Sequence, residues 1–272
     1  MFLTLLVGAI VVAGLLYKFL SSSKPRQLSK QDWKQDVVYL FQFKRSPNLP
    51  NVSPYCIKIE SFLRAHNIEY EVIGDNFQRS SKGLLPFIEL NGEEIADSEL
   101  ILPALIKKFK IQKNLTAERK AALRGFGRTF DLEIYLINLK YKSAVPEFLQ
   151  YCVDGIPSFV FPILLPYLNY AFNKKINASG YGAHTPLELT EILERDLEAA
   201  EVLLGDRKYF GGDTFSIADA SVYGHLAAIY LVPSPTPTSD LIRQRYPQLK
   251  RYIENTSQEL FADIVKKHEK DN

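Results

Sequence analysis

Cysteine is nearly absent from this sequence, with only Cys56 and Cys152 in 272 residues. Two cysteines so far apart cannot build a disulfide framework, and they lack the short spacing of a metal-ligand pair. The four histidines are scattered singly, so we predict no metal site. A net charge of +2 provides no broad basic surface and argues against nucleic-acid binding.

Charge is also missing from residues 2–17, which are almost wholly apolar. Extended by three residues, this run approaches the ~20 residues that cross a bilayer. A cleaved signal peptide would carry basic residues before the apolar run, whereas here Lys18, Lys24 and Arg26 follow it. We therefore predict a single transmembrane anchor over residues 1–20, and the positive-inside rule places the folded part in the cytosol.

N-glycosylation signals favour the opposite topology. Four Asn-x-Ser/Thr sequons occur, at Asn51, Asn114, Asn177 and Asn255, where about one is expected by chance. An excess of sequons indicates a lumenal protein, so both topologies stay open.

The first half of the sequence alternates strand and helix patterns. Residues 21–35 are polar and predict a linker. A β-branched and aromatic run at 37–43 predicts a buried strand, a helix follows Ser53, and Glu69–Ile73 predicts a second strand. This order predicts an α/β, thioredoxin-like domain over residues 36–112, a small mixed sheet with helices on both faces.

A hairpin completes this half. Pro86 opens a strand, and Asn91-Gly92 supplies the two turn residues of a type I′ hairpin. Proline cannot donate to a sheet ladder, so at a strand's first position it indicates an edge, a bend or a cis bond. The second arm ends at Asp97-Ser98, where a helical stripe begins.

The second half has helical spacing and no convincing strand pattern, so we predict an all-α domain over residues 113–272. Ser216 and Asp219, three positions apart, are the acidic variant of a capping box and predict a helix start. Helices are expected at 117–142, at Pro186–Leu204, from Ser216 to about Leu231 and from about Tyr246 to Lys267, with a rigid non-helical loop at 233–238.

The run at 156–172 is apolar enough to suggest a second membrane segment. Its three prolines, Pro157, Pro162 and Pro166, argue against one straight span. A buried, bent segment is the preferred interpretation, and contact with a membrane surface is the alternative.

Ser53 precedes Pro54 at the expected start of a helix, where Ser favours the N-cap and Pro the first helical position. Ser53 is therefore either only an N-cap or a hydroxyl that stabilises an anion at the positive helix end. Cys56 lies one turn into this helix, and we expect a packed small residue rather than a reactive thiol.

Four segments together resemble the glutathione-transferase superfamily. Within it they are most similar to the failed axon connections and metaxin-like branch, which includes the nematode cadmium-inducible lysosomal proteins. The likeness covers about residues 36–265 and includes the apolar leader. The segments are SPYCIKIESFLR at 53–64, LLPFIELNGEEIADSELI at 84–101, GYGAHTPLEL at 180–189 and FGGDTFSIADASVYGHLA at 210–227.

The resemblance implies glutathione as the co-substrate. Ser53 matches the residue that stabilises the glutathione thiolate. Leu85 and Pro86 match the residues whose main chain pairs with the cysteinyl unit. Asp97 and Ser98 match those that bind the ammonium and carboxylate of the γ-glutamyl unit.

Two functional classes remain open. The first is a membrane-anchored enzyme or former enzyme that conjugates glutathione to an apolar electrophile, with Tyr39 as an alternative hydroxyl to Ser53. The second is a non-catalytic membrane-tethered adaptor for an unidentified protein in stress response or axon development, and a homodimer is left open. The nematode branch also implies a link to cadmium stress and to lysosomes or other endomembranes. Direct cadmium chelation is disfavoured because two separated cysteines do not supply a soft ligand set.

Overall fold

The computed structural model describes residues 27–45, 49–111, 115–144, 161–232 and 235–265. A small sheet with two helices comes first, and helices follow. The strands are β1 Val38–Gln42, β2 Tyr70–Gly74, β3 Phe87–Leu90 and β4 Glu93–Ala96. The helices are α1 Pro54–Ala65, α2 Ser98–Lys108, α3 Ala117–Thr129, α4 Tyr135–Ser143, α5 Phe161–Ala178, α6 Pro186–Leu204, α7 Ile217–Tyr230, α8 Pro237–Arg245 and α9 Pro247–Phe261.

The sheet has the order β2-β1-β3-β4, with β1 parallel to β2 and antiparallel to β3. The β3–β4 hairpin turns at Asn91 and Gly92, whose φ angles of 52° and 86° match the positive values of a type I′ turn. This confirms the predicted hairpin and the thioredoxin-like character of the first half.

The expectation of helices on both faces of the sheet is wrong. Helices α1 and α2 share one core with Val38, Leu40 and Ile88, which point to the same face. The chain between β2 and β3 forms a loop without a helix. Tyr39 and Phe87 lie on the other face in a separate, smaller cluster.

A docked segment contacts this second face in place of a helix. We call residues 28–36 the strap. The backbone N–H groups of Ser29 and Lys30 donate to the two carboxylate oxygens of the buried Glu89, at 2.7 and 2.8 Å. The sequence gives no sign of this, because residues 21–35 have the composition of a free linker. The part of that range that the structure describes is fixed to the sheet.

In the second half, the predicted helices are confirmed at 117–142, Pro186–Leu204 and 216–231, with a π-helical turn Phe130–Ile134 between α3 and α4. The structure differs from the prediction after residue 232. The loop predicted at 233–238 ends early, because Thr236 caps α8 and Pro237 occupies its first position.

The prediction of a buried segment at 156–172 is wrong for the part that the structure describes. Residues from Phe161 onward form α5, which continues through Pro166. Of the α5 side chains that the structure describes, only Ile176 is buried, and Tyr167 and Tyr170 are 64% and 63% exposed.

Within the described ranges, no helix combines the length and the apolar character that crossing a bilayer requires. The anchor predicted over residues 1–20 lies outside those ranges.

Helix α7 is the centre of the helical half, and it lies directly against α1. Gly224 makes this approach possible, because a Cβ at this position would lie 2.6 Å from the Pro54 carbonyl oxygen and 2.9 Å from the Lys58 nitrogen. Both atoms are helix backbone, so neither can move aside as a side chain does. The absence of a side chain at Gly224 therefore sets the distance between α1 and α7.

Replacing Gly224 with Ala should destabilise the fold by about 1–3 kcal/mol, the usual range for overpacking a tight interface. Gly125 is a matched control, because it lies in α3 with open space around its missing Cβ. Gly125→Ala should be neutral or stabilising, since Ala is the better helix former. Urea unfolding of both variants measures the difference, and equal stability of the two would contradict the close-contact argument.

Candidate functional site

The sheet register brings the predicted residues to one edge of the sheet. Phe87 pairs with both Phe41 and Ala96. Pro86 immediately precedes Phe87, and Asp97 immediately follows Ala96, so these two residues lie at neighbouring positions. Since α1 begins after the end of β1, its first turn lies at the same edge. The start of α1, Pro86 and Asp97 therefore lie close together at this edge.

Ser53 occupies the N-cap position of α1, but its hydroxyl does not cap the helix. Its backbone N–H donates to Asn51 Oδ1 at 3.0 Å, and its hydroxyl lies beside the Cys56 thiol, whose pKa it lowers. Within the described residues the Tyr55 N–H has no acceptor. The N-cap interpretation alone thus leaves the Ser53 hydroxyl unexplained, and the α1 terminus keeps a free donor.

Cys56 is fully buried beneath this terminus. Burial raises the pKa of its thiol to about 12, although the Ser53 hydroxyl acts in the opposite direction. The thiol is therefore protonated at neutral pH, and only the thiolate is a good nucleophile. This geometry supports a packed small residue at Cys56.

The Leu85–Pro86 peptide bond is cis. Pro86 is buried, and Leu85 is half-buried beside it. In the described part of the chain, neither the N–H nor the C=O of Leu85 has a hydrogen-bond partner. A strand-like main-chain edge is therefore open to an extended peptide.

Asp97 and Ser98 begin α2. The Asp97 carboxylate accepts the Glu99 N–H at 2.9 Å and keeps its other oxygen at the surface. Ser98 is buried to 7% exposure, and its hydroxyl has no partner among the described residues. The helix start thus offers a free hydroxyl beside a surface carboxylate.

Tyr39, the alternative hydroxyl, does not reach this edge. It is 1% exposed and belongs to the second face of the sheet. Its hydroxyl accepts the Lys34 N–H of the strap at 2.9 Å. Tyr39 therefore binds the strap, and Ser53 supplies the hydroxyl at the candidate site.

A buried ion cluster lies between this site and the helical half. The Lys58 ammonium, in α1, is fully buried and contacts Glu99 Oε1 at 2.7 Å and Asp131 Oδ2 at 2.8 Å. Glu99 lies in the first turn of α2, and Asp131 lies in the π-helical turn. Lys58 therefore connects the Ser53 helix and the Ser98 turn to the helical domain.

Further side chains complete this cluster. Ser221 donates to Asp131 Oδ2 at 3.2 Å, and the Tyr55 hydroxyl donates to the Asp131 carbonyl at 2.6 Å. His225 Nε2 lies 3.3 Å from Asp131 Oδ1, although the two are poorly aligned for a hydrogen bond. Arg124 and Arg128 contact Glu99 from the solvent side. No sequence motif identifies this cluster, because its members lie far apart in the chain.

Asp131 and His225 are each held in one protonation state at neutral pH. Burial alone would raise the pKa of Asp131, but nearby His225 and the charge of Lys58 outweigh it and lower that pKa. Burial also lowers the pKa of His225, so its ring is neutral at neutral pH. A depressed carboxylate pKa contributes stability above the unfolded value of ~4, and that contribution is lost as the pH falls.

Comparisons with known proteins agree with this fold. The family model described as glutathione S-transferase N-terminal domain matches residues 54–148, and the model described as glutathione S-transferase, C-terminal domain matches residues 193–256.

Three curated relatives are similar over most of the chain. Failed axon connections of Drosophila melanogaster is 30% identical over 89% of this chain and 63% of its own length. The isoprene-epoxide–glutathione S-transferase of Rhodococcus is 26% identical over 80% of this chain and 97% of the relative. A metaxin-1 homolog of Caenorhabditis briggsae is 26% identical over 66% of this chain and 59% of the relative. The chain therefore spans less than two thirds of the Drosophila and Caenorhabditis relatives.

Solved structures share the fold at low identity. A glutathione S-transferase of Ceriporiopsis subvermispora in complex with glutathione is 16% identical, with a TM-score of 0.59 over 82% of this chain and 97% of that chain. A glutathione S-transferase of Methylobacterium radiotolerans in complex with glutathione sulfonate is 20% identical, with a TM-score of 0.53 over 84% and 94%.

Proposed function

We propose that this chain, which belongs to the failed axon connections and metaxin-like branch of the glutathione-transferase superfamily, binds glutathione at the edge formed by Ser53, Leu85, Pro86, Asp97 and Ser98. The observation that carries the proposal is the unpaired main chain of Leu85 beside the cis Pro86. This main chain lies next to the start of α2, where the Ser98 hydroxyl has no partner among the described residues.

The cysteinyl and γ-glutamyl units of glutathione each have a partner of matching chemistry in this pose. The cysteinyl main chain pairs with Leu85 as an added strand. The γ-glutamyl carboxylate accepts hydrogen bonds from the Ser98 hydroxyl and the N-terminus of α2. The ammonium of the same unit forms an ion pair with the outward oxygen of Asp97. The cysteinyl sulfur then faces Ser53 and the first turn of α1.

The chemical step that we propose is conjugation of the sulfur to an apolar electrophile. The Ser53 hydroxyl and the Tyr55 N–H stabilise the thiolate after its proton passes to water. The sulfur forms a bond to an electrophilic carbon, and the electron pair of the broken bond leaves with the departing atom. Similarity to an isoprene-epoxide transferase supports an epoxide, whose ring oxygen takes up the proton.

A membrane anchor over residues 1–20 is part of the same proposal, with the folded part in the cytosol. It rests on the uncharged run and the basic residues that follow it. Endoglycosidase treatment of the expressed protein tests the topology. A gel shift would place the folded part in a lumen, although Asn51 is fully buried and is not an accessible acceptor.

Replacing Ser98 with Ala should weaken glutathione binding at least roughly tenfold, because a hydrogen bond to a charged carboxylate is lost. Calorimetric titration of the full chain in detergent with glutathione measures this. Ser81→Ala, in the exposed loop before Pro86, is the matched control and should bind as the wild type does. Equal affinity of the two variants would contradict the proposed γ-glutamyl position.

Replacing Ser53 with Ala should lower the conjugation rate by roughly 10²-fold, as for other donors that stabilise a reacting anion. The dissociation constant for glutathione should change little, because Ser53 acts on the sulfur. Cys56→Ala should keep most of the rate, since a buried protonated thiol does not react. Steady-state rates with an epoxide test this, and unchanged turnover in Ser53→Ala would reduce Ser53 to a structural residue.

The second candidate is a non-catalytic, membrane-tethered adaptor. Similarity to failed axon connections and to a metaxin-1 homolog favours it. Absence of any glutathione binding by the wild-type chain would support the adaptor function. A role in stress or cadmium response stays a prediction from the resemblance.

A further inference from the structure

Helix α5 combines an apolar sequence with an exposed position. Its first twelve residues, FPILLPYLNYAF, contain no charge. Tyr167 and Tyr170 expose almost two thirds of their surfaces, and Pro162 and Pro166 are exposed on the same helix. The exposed Asn169 lies between the two tyrosines, and an otherwise apolar surface of this kind marks an interaction site in a folded protein.

The sequence around α5 carries charge of one sign. Residues 155–187 contain no Asp or Glu. Lys174 and Lys175 follow the apolar part of α5, one turn beyond Tyr170. Lys174 has no acidic partner among the described residues, and Lys175 contacts only the neutral Tyr135, as a donor to its hydroxyl at 3.1 Å. The surface therefore presents uncompensated positive charge beside apolar side chains.

We propose that α5 binds the surface of a membrane that contains anionic phospholipids. The apolar part of the helix lies at the boundary of headgroups and acyl chains, where tyrosine is favoured. The two lysines lie at the level of the lipid phosphates. In this proposal the helix lies along the surface, because its second half carries Lys174 and Lys175 and the helix is not apolar enough to be a candidate span.

Charge complementarity favours a lipid surface over a protein partner. A second exposed apolar site, one of several in the described residues, lies around Val202 in α6 and is lined by both Arg195 and Glu198, so it has no net charge. Only α5 pairs a long apolar part with basic residues alone, within the part of the chain that the structure describes. This contact is separate from the anchor proposed at residues 1–20, and it does not depend on glutathione binding.

The contact would also orient the candidate site. The Lys175 ammonium lies 4.4 Å from the centre of the Tyr135 ring. Tyr135 packs on Tyr55, in the first turn of α1, with ring centres 5.1 Å apart. A membrane bound to α5 therefore lies near the first turn of α1, which the cysteinyl sulfur faces in the proposed pose.

A single tryptophan introduced into α5 tests the proposal in the full chain. Trp33, the only tryptophan, is replaced by Phe, and Tyr170→Trp is added. The protein is reconstituted into vesicles of brominated phosphatidylcholine and phosphatidylserine. Emission from the introduced indole should shift to the blue and fall at least twofold through bromine quenching. The matched control, Trp33→Phe with Val202→Trp, should show no quenching, because position 202 faces water.

Charge reversal separates lipid binding from other contacts. Lys174→Glu with Lys175→Glu should abolish quenching at position 170, and omission of phosphatidylserine should weaken it. Unquenched emission from position 170 in reconstituted protein would overturn the proposal, and Tyr167→Trp repeats the test if the first variant does not fold. A blue shift that grows with protein concentration in detergent, without vesicles, would assign the surface to a second copy and also overturn it. Glutathione affinity, measured on the same samples, reports on the other proposal independently.

Discussion

Replacement of Lys58 by Met should destabilise the protein by about 3–5 kcal/mol, because it removes one partner from a buried ion cluster. Met fills nearly the same volume as Lys, so the loss does not come from a cavity. Asp131, 1% exposed, would keep a negative charge close to Glu99 without the ammonium that lies between them. Urea unfolding followed by circular dichroism measures the change.

Two further variants isolate the electrostatic cause. Lys107→Met lies on the exposed side of α2 and should leave the unfolding midpoint nearly unchanged. The triple variant Lys58→Met, Glu99→Gln, Asp131→Asn removes all three charges and should recover part of the lost stability. A Lys58→Met protein as stable as Lys107→Met would show that the cluster contributes nothing to the free energy of unfolding.

Replacement of Asp219 by Ala should destabilise the protein by roughly 2–6 kcal/mol, because it leaves the buried Phe210 N–H and the partly buried Gly211 N–H without acceptors. Asp219 Oδ1 accepts the Phe210 N–H at 2.6 Å, and Oδ2 accepts the Gly211 N–H at 3.0 Å. The same oxygen caps α7 through the N–H and hydroxyl of Ser216, at 2.8 and 2.6 Å. One carboxylate thus fixes both a helix start and the loop before it.

The chain contains a matched control for this prediction. Thr185 and Glu188 form the same capping box at the start of α6, but in exposed positions. Glu188→Ala should therefore have a much smaller effect, because water satisfies the freed groups. Thermal and urea unfolding of both variants compare the two sites. Similar losses in the two would mean that the cap itself, and not burial, determines the effect.

The sequence predicts the turns and helix starts that depend on neighbouring residues. The Asn91-Gly92 turn follows from residues that tolerate positive φ, and the start of α7 follows from the Ser216–Asp219 box. Helix α8 escapes prediction although Thr236, Pro237 and Ser239 carry its signal, because the run of prolines around them favours a loop.

Features that depend on distant contacts are not predictable in this way. Lys58, Glu99, Asp131 and His225 are far apart in sequence, and each alone resembles an ordinary polar residue in a helix. Only packing of α1 against α2 and α7 brings them together. The exposure of α5 is of the same kind, because an apolar sequence is typical of a core until the fold leaves it outside.

The strap has a practical consequence for producing the folded domain. A recombinant fragment that starts at Val37 would include all four strands, yet the buried Glu89 carboxylate would lose its two N–H donors. The Tyr39 hydroxyl would lose its contact as well. Such a fragment would expose apolar sheet surface and aggregate, whereas one that begins upstream of Leu28 keeps the face closed. Expression boundaries for crystallisation therefore belong within the polar stretch that, by composition alone, would be trimmed away.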